Sequence, residues 1–349
     1  ARMTAEKGIT PEMICEVSVA GNTTMQHLFC GISPAALGEI PFVPAYRRAR
    51  TAWASEVGLA IHPAGRLYVF PNIGGFVGGD TVAGVLANAL HRSTGTILFI
   101  DIGTNGEIVL AHQGRLWATS CAAGPAFEGA RIGVGMRAAD GAIESVAFDG
   151  VDLVCSVIGE GKACGICGTA LIDAVAVLLE LGVIDDTGRM LGRAELPGDL
   201  PEAILARLVE VDENVRVVLV PAAQSRSGEA LCLLPRDVRE LQLASAAIRA
   251  GAMTMLRQAG LEASDVETVL LAGGFGNYIR RENACRIGLL PEMPVDSIRF
   301  VGNAASMGAK TILMSREHRV EAERIAACTQ HIDLSLDPEF QMEFGMAMM

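Results

Sequence analysis

The chain has 349 residues, half of them hydrophobic and 19% charged, and its formal net charge is −12. This acidic balance argues against a nucleic-acid partner, because no strong basic field is present to displace counterions from a phosphate backbone. The sequence contains no long uninterrupted apolar run, so we expect no membrane-spanning helix.

The first predicted elements are a strand and a helix joined by a short turn. Residues 14–20 are mostly apolar and predict a strand, which turns at Gly21 into a helix. Asn22 or Thr23 is expected as the N-cap, because either side chain can accept a hydrogen bond from the free N–H groups of the first turn. If Thr23 is the cap, Gln26 completes a capping box.

A second strand-to-helix segment follows in GRLYVFPNIGGFVGGDTVAGVLANAL, after an irregular, proline-containing connection. A glycine-rich turn separates its strand from its helix, and Asp80 is expected as the N-cap of that helix. The stretch from Thr96 to Leu110, TILFIDIGTNGEIVL, then predicts a hairpin, and GRLWATSCAAG predicts a third strand beside it.

The turn of this hairpin combines an acid, a hydroxyl and an amide. Glycines let backbone N–H groups approach a phosphate closely, and Thr104 and Asn105 add neutral donors. Asp101 repels a bare phosphate but suits a divalent cation or its water shell. The turn therefore indicates either a site for a magnesium nucleotide or an ordinary Asn-Gly turn of type I′ without a ligand.

The segment GPAFEGARIG predicts a helix that begins near Phe127. In such a helix Glu128 and Arg131 share one face, since residues at i and i+3 are neighbours on a helix. The two side chains form either a solvated ion pair or contacts with a ribose and a purine ring.

The rest of the chain alternates helices and strands. VRVVLVP predicts a short strand, and Asp237 with Glu240 predicts the start of a long helix that runs through Leu256 and ends at Gly260. SIRFVGNAASMGAKTILMS predicts a strand and a helix capped by Asn303. In ICGTALIDAVAVLLELGVID the apolar residues recur with the period of one helical face, at positions 171, 172, 175, 178 and 179.

A second glycine turn ends the buried strand of VETVLLAGGFGNYI. Its glycines stand at positions 273, 274 and 276, which does not match the G-x-G-x-x-G pattern of dinucleotide-binding folds. A nicotinamide oxidoreductase is therefore disfavoured. The turn either lets a flat ring lie against the backbone of Gly273 and Gly274 or relieves crowding at a sheet edge.

The nine cysteines are scattered through apolar segments, and their odd number favours reduced thiols over a disulfide framework. Cys164 and Cys167 form a lone C-x-x-C motif with no second pair at metal-ligand spacing. Packing at the start of a helix is therefore favoured for this pair over a metal or redox site.

The order of these turns resembles the two-lobed ATPase superfamily of actin, sugar kinases and heat-shock chaperones. Several strings are more specific: VAGNTTMQHLFCGI, PNIGGFVGGDTVAGVL, CAAGPAFEGARI, GICGTALIDAV and LLAGGFGNYI resemble the C-terminal ATPase region of the reductive activators of corrinoid proteins, over about residues 12–345. The resemblance implies an α/β fold with two ribonuclease H-like lobes, the first of them truncated at its N-terminus.

The resemblance also implies three segments. Residues 1–95 correspond to the remainder of the first lobe with the first connecting helix, and residues 96–303 to the second, nucleotide-binding lobe. Residues 304–349 correspond to the second connecting helix and a tail that packs back on the first lobe.

Carried over to this sequence, the family pattern implies ATP and Mg²⁺ as ligands. Asp101 would position Mg²⁺ through water, and Asp80 would orient a metal-bound water as general base, although a helix cap is the simpler role for it. Glu128 and Arg131 would reach the ribose and the base. Phosphate oxygens would be held by Gly103, Thr104, Asn105 and Gly106. The adenosine would be bordered by Gly273, Gly274, Phe275 and Asn277.

The activity implied by the resemblance is an uphill, ATP-dependent electron transfer that restores a Co(II) corrinoid on a partner protein to Co(I). The expected partner is thus a corrinoid-binding protein and the expected compartment is the cytoplasm; a homodimer is compatible with the family. ATP-linked closure can act in this way only by binding two conformations with different affinity.

The sequence departs from the family in two respects. It contains no C-x₄-C-x₂-C cluster of a plant-type ferredoxin, so a 2Fe–2S centre is expected only in an N-terminal domain outside this chain. No Asp-Ile-Gly-Thr hairpin precedes Glu16, so half of the phosphate contacts are expected to be missing. We therefore expect this chain to hydrolyse ATP weakly or not at all.

Three other functions are open on the sequence alone. A metabolite kinase of the same superfamily would need an acceptor substrate, and a reactivating chaperone for a B₁₂ enzyme would exchange a damaged cofactor without electrons. A non-catalytic module would dock a corrinoid protein irrespective of nucleotide.

Overall fold

The structure is a computed structural model that describes residues 6–211, 214–274 and 279–348. The described residues form two compact units. Unit 1 consists of residues 6–99, 107–120 and 303–333. Unit 2 consists of the described residues of 100–106, 121–302 and 334–348.

Unit 1 contains a three-stranded sheet of its own. Its strands are β1 Glu16–Val19, β2 Arg50–Trp53 and β3 Arg66–Val69. Strand β1 pairs parallel with β3, and β3 pairs antiparallel with β2. The α-helices of this unit that fall within the described residues are α1 Thr23–Phe29, α2 Gly79–Ala87, α7 Ala304–Met314 and α8 Arg316–Cys328.

Helices α2 and α7 pack closely because small residues meet where they cross. A Cβ added at Gly308 would lie 2.2 Å from the carbonyl oxygen of Ala83, so only glycine fits there. On the same helix as Ala83, a Cβ at Gly84 would lie 2.8 Å from the ring of Phe99. The backbones of α2 and α7 are therefore in direct contact.

A six-stranded sheet contains the predicted hairpin and the third strand beside it. Its strands are β4 Ile97–Ile102, β5 Gly106–His112, β6 Arg115–Cys121, β13 Thr268–Ala272, β14 Ile298–Gly302 and β15 Gln330–His331. Their order is β14-β13-β4-β5-β6-β15. Leu98, Phe99 and Ile100 are fully buried along β4, as the apolar run in the sequence predicts.

Unit 2 contains two further three-stranded sheets, ordered β8-β7-β9 and β10-β11-β12. Their strands are β7 Ala142–Phe148, β8 Leu153–Val157, β9 Gly165–Ile166, β10 Leu208–Val211, β11 Asn214–Val220 and β12 Leu231–Leu233. The α-helices described in this unit are α3 Gly168–Glu180, α4 Glu202–Ala206, α5 Pro235–Ala259, α6 Arg281–Arg286 and α9 Pro338–Ala347. The apolar face predicted for α3 is buried.

The last helix, α9, lies in unit 2 and packs against α5. Arg257 at the end of α5 pairs with Glu343, and Gln258 Nε2 donates to Asp337 Oδ2 at 2.9 Å. Residues 334–348 belong to unit 2, whereas residues 303–333 belong to unit 1. The three segments expected from the family resemblance remain a prediction.

Several helix ends confirm local predictions. Asn22 caps α1, since its side chain accepts from Met25 N at 2.8 Å, and Asn303 caps α7 by accepting from Ser306 N at 2.8 Å. Gly260 ends α5 in the left-handed conformation, with φ 74°.

Two helix starts differ from the prediction. Helix α2 begins at Gly79 with Gly78 as its N-cap, so the prediction that Asp80 caps this helix is wrong. Two glycines in succession allow the helix to start before the acid, which then lies inside the first turn. Helix α5 likewise begins before Asp237, because proline is favoured at the first helical position.

Two predictions from composition concern the membrane and the C-x-x-C pair. No helix in the described ranges is long and apolar enough to cross a membrane. Cys167 is the buried N-cap residue of α3, and Cys164 is half-buried. Both cysteines are free, and Cys167 packs at the start of a helix as predicted.

Candidate functional site

The turn between β4 and β5 lies in unit 2 and carries the residues predicted to hold phosphate. Gly103 N donates to Asn105 O at 3.0 Å, which closes the turn. Gly106 is buried, and a Cβ there would lie 2.8 Å from Ile248 Cγ1, so packing requires a glycine at this position. Thr104 at the tip is exposed. The turn is thus rigid at its base and accessible at its tip.

A second segment holds the tip of this turn. Thr104 Oγ1 donates a hydrogen bond to the Glu128 carboxylate, and Gly124 N donates to Thr104 O at 2.9 Å. Glu128 is the last residue of a 3₁₀ turn, Pro125–Glu128, which Gly129 ends with φ 74°. The hydroxyl donor of Thr104 is therefore already used by Glu128.

The helix predicted from Phe127 does not form. Arg131 has φ 65°, a left-handed conformation, so the chain leaves the helical path directly after the 3₁₀ turn. Arg131 is exposed and shares no helical face with Glu128. The predicted i,i+3 arrangement of these two side chains is wrong, because left-handed residues interrupt the segment.

The second glycine turn begins against the first. Gly273 follows β13, has φ 105°, and donates from N to Gly302 O at 3.1 Å. A Cβ added to Gly273 would lie 2.5 Å from Ile102 O and 3.0 Å from Asp101 Oδ1. Only glycine lets the end of β13 come this close to the end of β4. Gly274 is exposed, and nothing lies within 4 Å of its Cβ position.

Two residues predicted to border the adenosine, Phe275 and Asn277, lie outside the described residues.

In α6, just beyond this segment, Asn283 Nδ2 donates to Asp173 Oδ1 at 2.6 Å. Asp173 also accepts from Val146 N at 3.2 Å, and burial raises the pKa of its carboxyl. Sequence reasoning missed this buried network; its only signal is one acid within the apolar string LIDAV.

In unit 1, Asp80 lies in the first turn of α2. Its N donates to Gly21 O at 3.2 Å, and its carboxylate accepts from Thr81 N at 2.8 Å. Burial raises the pKa of the Asp80 carboxyl, because the charged form loses its hydration. The half-buried Asp80 carboxylate therefore accepts a backbone hydrogen bond without capping the helix.

The side chain of Gln26 lies against the residue that precedes Asp80. The Gln26 Nε2 would be 2.1 Å from a Cβ at Gly79, and within the described part of the chain neither polar atom of this buried amide has a hydrogen-bond partner. Buried amides are normally paired, so water or a ligand is needed here. Sequence reasoning considered Gln26 only for a capping box.

A further buried carboxylate fixes the loop that follows Glu128. Asp237 Oδ1 accepts from Gly133 N at 2.8 Å, and Oδ2 accepts from Leu234 N at 3.0 Å. Burial raises the pKa of the Asp237 carboxyl. The two hydrogen bonds act in the opposite direction, but the effect of burial is larger. The acid that predicts a helix start thus also joins two distant segments of unit 2.

Within the described residues, no group of three or more His, Cys, Asp or Glu side chains is arranged to hold a metal ion. Asp101, the carboxylate predicted to position Mg²⁺, lies half-buried at the end of β4, next to the 103–106 turn.

Two family models together match nearly the whole chain. One, described as the RACo middle region, matches residues 1–93. The other, described as the C-terminal domain of RACo, the ASKHA domain, matches residues 95–349. The expected fold class, an α/β ATPase of this superfamily, is confirmed.

Named relatives agree with these matches. The corrinoid activation enzyme RamQ of Eubacterium limosum is 37% identical over 336 residues, which are 95% of this chain and 56% of that protein. The Co(II) methylated amine-specific corrinoid protein reductase of Methanosarcina barkeri is 28% identical over 303 residues, which are 80% of this chain and 50% of that protein.

A solved structure shows the same similarity. The reductive activator for corrinoid, iron-sulfur protein matches with a TM-score of 0.88 and 37% identity, over 99% of this chain and 54% of that one. The chain spans about half the length of the relatives that it matches. On these sequence and structural similarities, the chain belongs to the RACo family of reductive activators of corrinoid proteins.

Proposed function

We propose that this chain is the nucleotide-binding part of an activator that uses ATP to restore a Co(II) corrinoid protein to Co(I). The names of its relatives support the reaction and the kind of partner. The chain itself supplies ATP binding and docking of the corrinoid protein. The electron comes from a 2Fe–2S domain in the longer protein, which functions in the cytoplasm as a homodimer.

One observation carries the proposal: the end of β13 meets the end of β4 at Gly273. The absence of a side chain there leaves the backbone at Ile102 and the carboxylate of Asp101 next to the second glycine turn. Phosphate-binding and adenosine-binding turns must be neighbours if they hold one nucleotide. The proposal assigns the phosphates to the 103–106 turn and the adenosine to Gly273 and Gly274, with Phe275 and Asn277 beyond them.

Mg²⁺, when bound with ATP, neutralises phosphate charge. Asp101 would hold its water shell, since a carboxylate suits a hard cation and would repel an uncomplexed phosphate. The glycine-lined backbone of 103–106, with Asn105, would donate to phosphate oxygens. Of these residues Asp101, Gly103, Thr104 and Asn105 are at least partly accessible, whereas Gly106 is buried.

Glu128 has a specific role in this scheme. The Thr104 hydroxyl can donate to a phosphate only if it stops donating to Glu128. Transfer of Glu128 to a ribose hydroxyl would release Thr104, so ribose and phosphate recognition are linked through one hydrogen bond. Arg131, which is exposed close by in sequence, would then contact the base.

Asp80 is proposed as the general base that orients the attacking water. Burial raises the pKa of the Asp80 carboxyl. A carboxylate with a raised pKa is a more effective proton acceptor near neutral pH. The unpaired amide of Gln26 beside the preceding residue marks this part of unit 1 as a place where ordered water is needed.

The proposal is tested by titrating the chain with ATP in the presence and absence of Mg²⁺, using calorimetry. We expect saturable binding that Asp101→Asn weakens about tenfold or more only when Mg²⁺ is present, as for other groups that orient a metal's water. The exposed Asp186→Asn serves as the charge-matched control in the same unit. Equal weakening in both variants, or none, would contradict the proposed site.

The partner is tested separately with an immobilised Co(II) corrinoid protein. Nucleotide acts in the proposed way only if it changes the affinity of the chain for that protein. We expect a different dissociation constant with and without Mg-ATP. An unchanged constant would favour a docking module without nucleotide control.

A further inference from the structure

We infer that unit 1 carries a second anion site, selective for a phosphate monoester that also bears hydroxyl groups. The site is a cavity of about 230 Å³ between the loop that precedes β2 and helix α8. It is built entirely from unit 1 and goes beyond the proposed function. Its lining residues are Arg47, Arg48, Asn72, Glu323, Ala326 and Ala327.

Two adjacent cations line this cavity in an otherwise acidic chain. Arg47 and Arg48 are both exposed, and the ion pairs formed among the described residues include neither guanidinium. Guanidinium groups bind phosphate oxygens through paired N–H donors. Two such groups without a carboxylate partner are therefore free to take an anion.

The buried side of the cavity contains an unsatisfied amide. Asn72 is fully buried, and among the described residues its Oδ1 has no hydrogen-bond partner. Its Nδ2 reaches Tyr46 O only at 3.5 Å, the limit of a hydrogen bond. A buried acceptor left unpaired costs free energy, so a ligand or water with a donor is needed here.

The arginine loop is positioned by backbone contacts from both walls. Asn72 N donates to Arg47 O at 2.8 Å, and Ala49 N donates to Glu323 Oε1 at 2.9 Å. The Glu323 carboxylate thus anchors the loop instead of forming an ion pair with either arginine of the cavity. The two guanidinium groups are carried on a loop that is fixed at both of its ends.

The chemistry of the lining defines the ligand. The arginines attract an anion, whereas the buried Asn72 Oδ1 is an acceptor that requires a donor. The phosphate dianion at neutral pH, HPO₄²⁻, carries only one O–H donor, next to the oxygens that the arginines would hold, and a neutral sugar supplies no charge. A sugar phosphate supplies the charge and several hydroxyl donors farther from it, and the small side chains of Ala326 and Ala327 leave room for it.

The site is tested with three probes at constant ionic strength: ribose 5-phosphate, inorganic phosphate and ribose. Titrations are followed by calorimetry or by NMR. We expect ribose 5-phosphate to bind most tightly, inorganic phosphate more weakly and ribose least. Absence of saturable ribose 5-phosphate binding up to ~10 mM would overturn the inference.

Two variants separate a built site from diffuse charge. Removing both cations in Arg47→Ala/Arg48→Ala should weaken ribose 5-phosphate by at least about tenfold. Arg316→Ala/Arg324→Ala removes the same charge from exposed positions of α8 outside the cavity lining and should change the affinity less than about twofold. Equal weakening by both pairs would show non-specific attraction.

A third variant leaves the charges of the cavity unchanged and fills its volume. Ala327 is exposed, so Ala327→Leu should leave the fold intact while its side chain fills the cavity. We expect loss of ribose 5-phosphate binding with a melting temperature close to that of the parent chain. Retained binding would place the ligand elsewhere. Mg-ATP binding at the 101–106 turn, measured in the same variants, should not change, which separates this site from the proposed nucleotide site.

Discussion

Asp80 and Asp101 each follow or precede glycines in a turn, yet their surroundings differ. Asp80 lies half-buried in the first turn of α2, where its carboxylate accepts a hydrogen bond from Thr81 N and partial burial raises its pKa. Asp101 lies at the end of β4, half-buried, where Gly273 passes beside its carboxylate. A buried acid without a cation tends to take up a proton, whereas an accessible acid at a strand end suits a hydrated metal. The roles proposed for Asp80 and Asp101 differ because the surroundings of the two carboxylates differ.

The largest effect is expected on ATP hydrolysis when the Asp80 carboxylate is replaced by an amide. Because we expect weak or no hydrolysis from this chain alone, the variant is made in the longer protein, where Asp80→Asn should lower the rate of hydrolysis of bound ATP by about 10²- to 10⁴-fold, since the amide cannot accept a proton. The affinity for Mg-ATP should remain nearly unchanged, in contrast with Asp101→Asn. Single-turnover hydrolysis of radiolabelled ATP measures even slow rates, and an unchanged rate in Asp80→Asn would remove this residue from catalysis.

The second largest effect is expected in the free energy of unfolding when Gly273 is replaced, with the neighbouring Gly274 as the control. Gly273→Ala should destabilise the chain by about 2–4 kcal/mol, because φ 105° is strained for alanine and its Cβ would lie 2.5 Å from Ile102 O. Gly274→Ala meets no atom within 4 Å and should change the free energy of unfolding by less than about 0.5 kcal/mol. Urea denaturation of both variants checks this difference; similar values would show that β13 does not approach β4 as described.

A smaller effect is expected in the pH dependence of stability. The folded-state pKa of Asp80 is raised, so the stability that it contributes is present at acid pH and is lost as pH rises from its unfolded pKa through its folded pKa. Asp80→Asn should therefore gain stability relative to the parent chain on going from pH 4 to pH 8, values that span the ordinary range of a carboxyl shifted upward.

Asp152 provides the control with the opposite sign. The hydrogen bond from Arg207 lowers the pKa of the Asp152 carboxyl, so its contribution is present above the unfolded pKa and lost as pH falls through the folded one. Asp152→Asn should lose stability relative to the parent chain as pH rises from about 2 to about 5, the range around a carboxyl whose pKa is shifted downward. Slopes of one sign in both variants would contradict the assigned environments.

The smallest effect sharpens the role of Glu128. Glu128→Gln still accepts a hydrogen bond from Thr104 but no longer as a charged acceptor, so it should change nucleotide affinity by about two- to tenfold. Deoxyribose nucleotides test the mechanism, because the variant and the parent chain should then differ less than with ATP. A difference of the same size with both sugars would separate Glu128 from ribose recognition.

Local features of the fold are predictable from the sequence, whereas contacts between distant residues are not. The caps at Asn22 and Asn303, the β4–β5 hairpin and the apolar face of α3 depend on neighbouring residues, and the structure confirms them. The helix expected at Phe127 fails because Arg131 adopts a left-handed conformation that a propensity argument does not foresee.

In the candidate site, too, local features are predictable from the sequence and contacts between distant residues are not. The glycines of both turns mark it in the sequence, since each glycine permits a close backbone approach. The buried partners behind the turns, such as Asp173 with Asn283 and Asp237 with Gly133, join residues far apart in the chain. Only the folded chain reveals which acids become buried and which remain accessible.

The crossing of α2 and α7 at Gly308 has a mechanical consequence. No side chain separates Gly308 from the carbonyl of Ala83, so the two helix backbones pack directly against each other. A displacement of α7 at this crossing would have to move α2, whose first turn contains Asp80. A side chain at Gly308 would force the two helices apart.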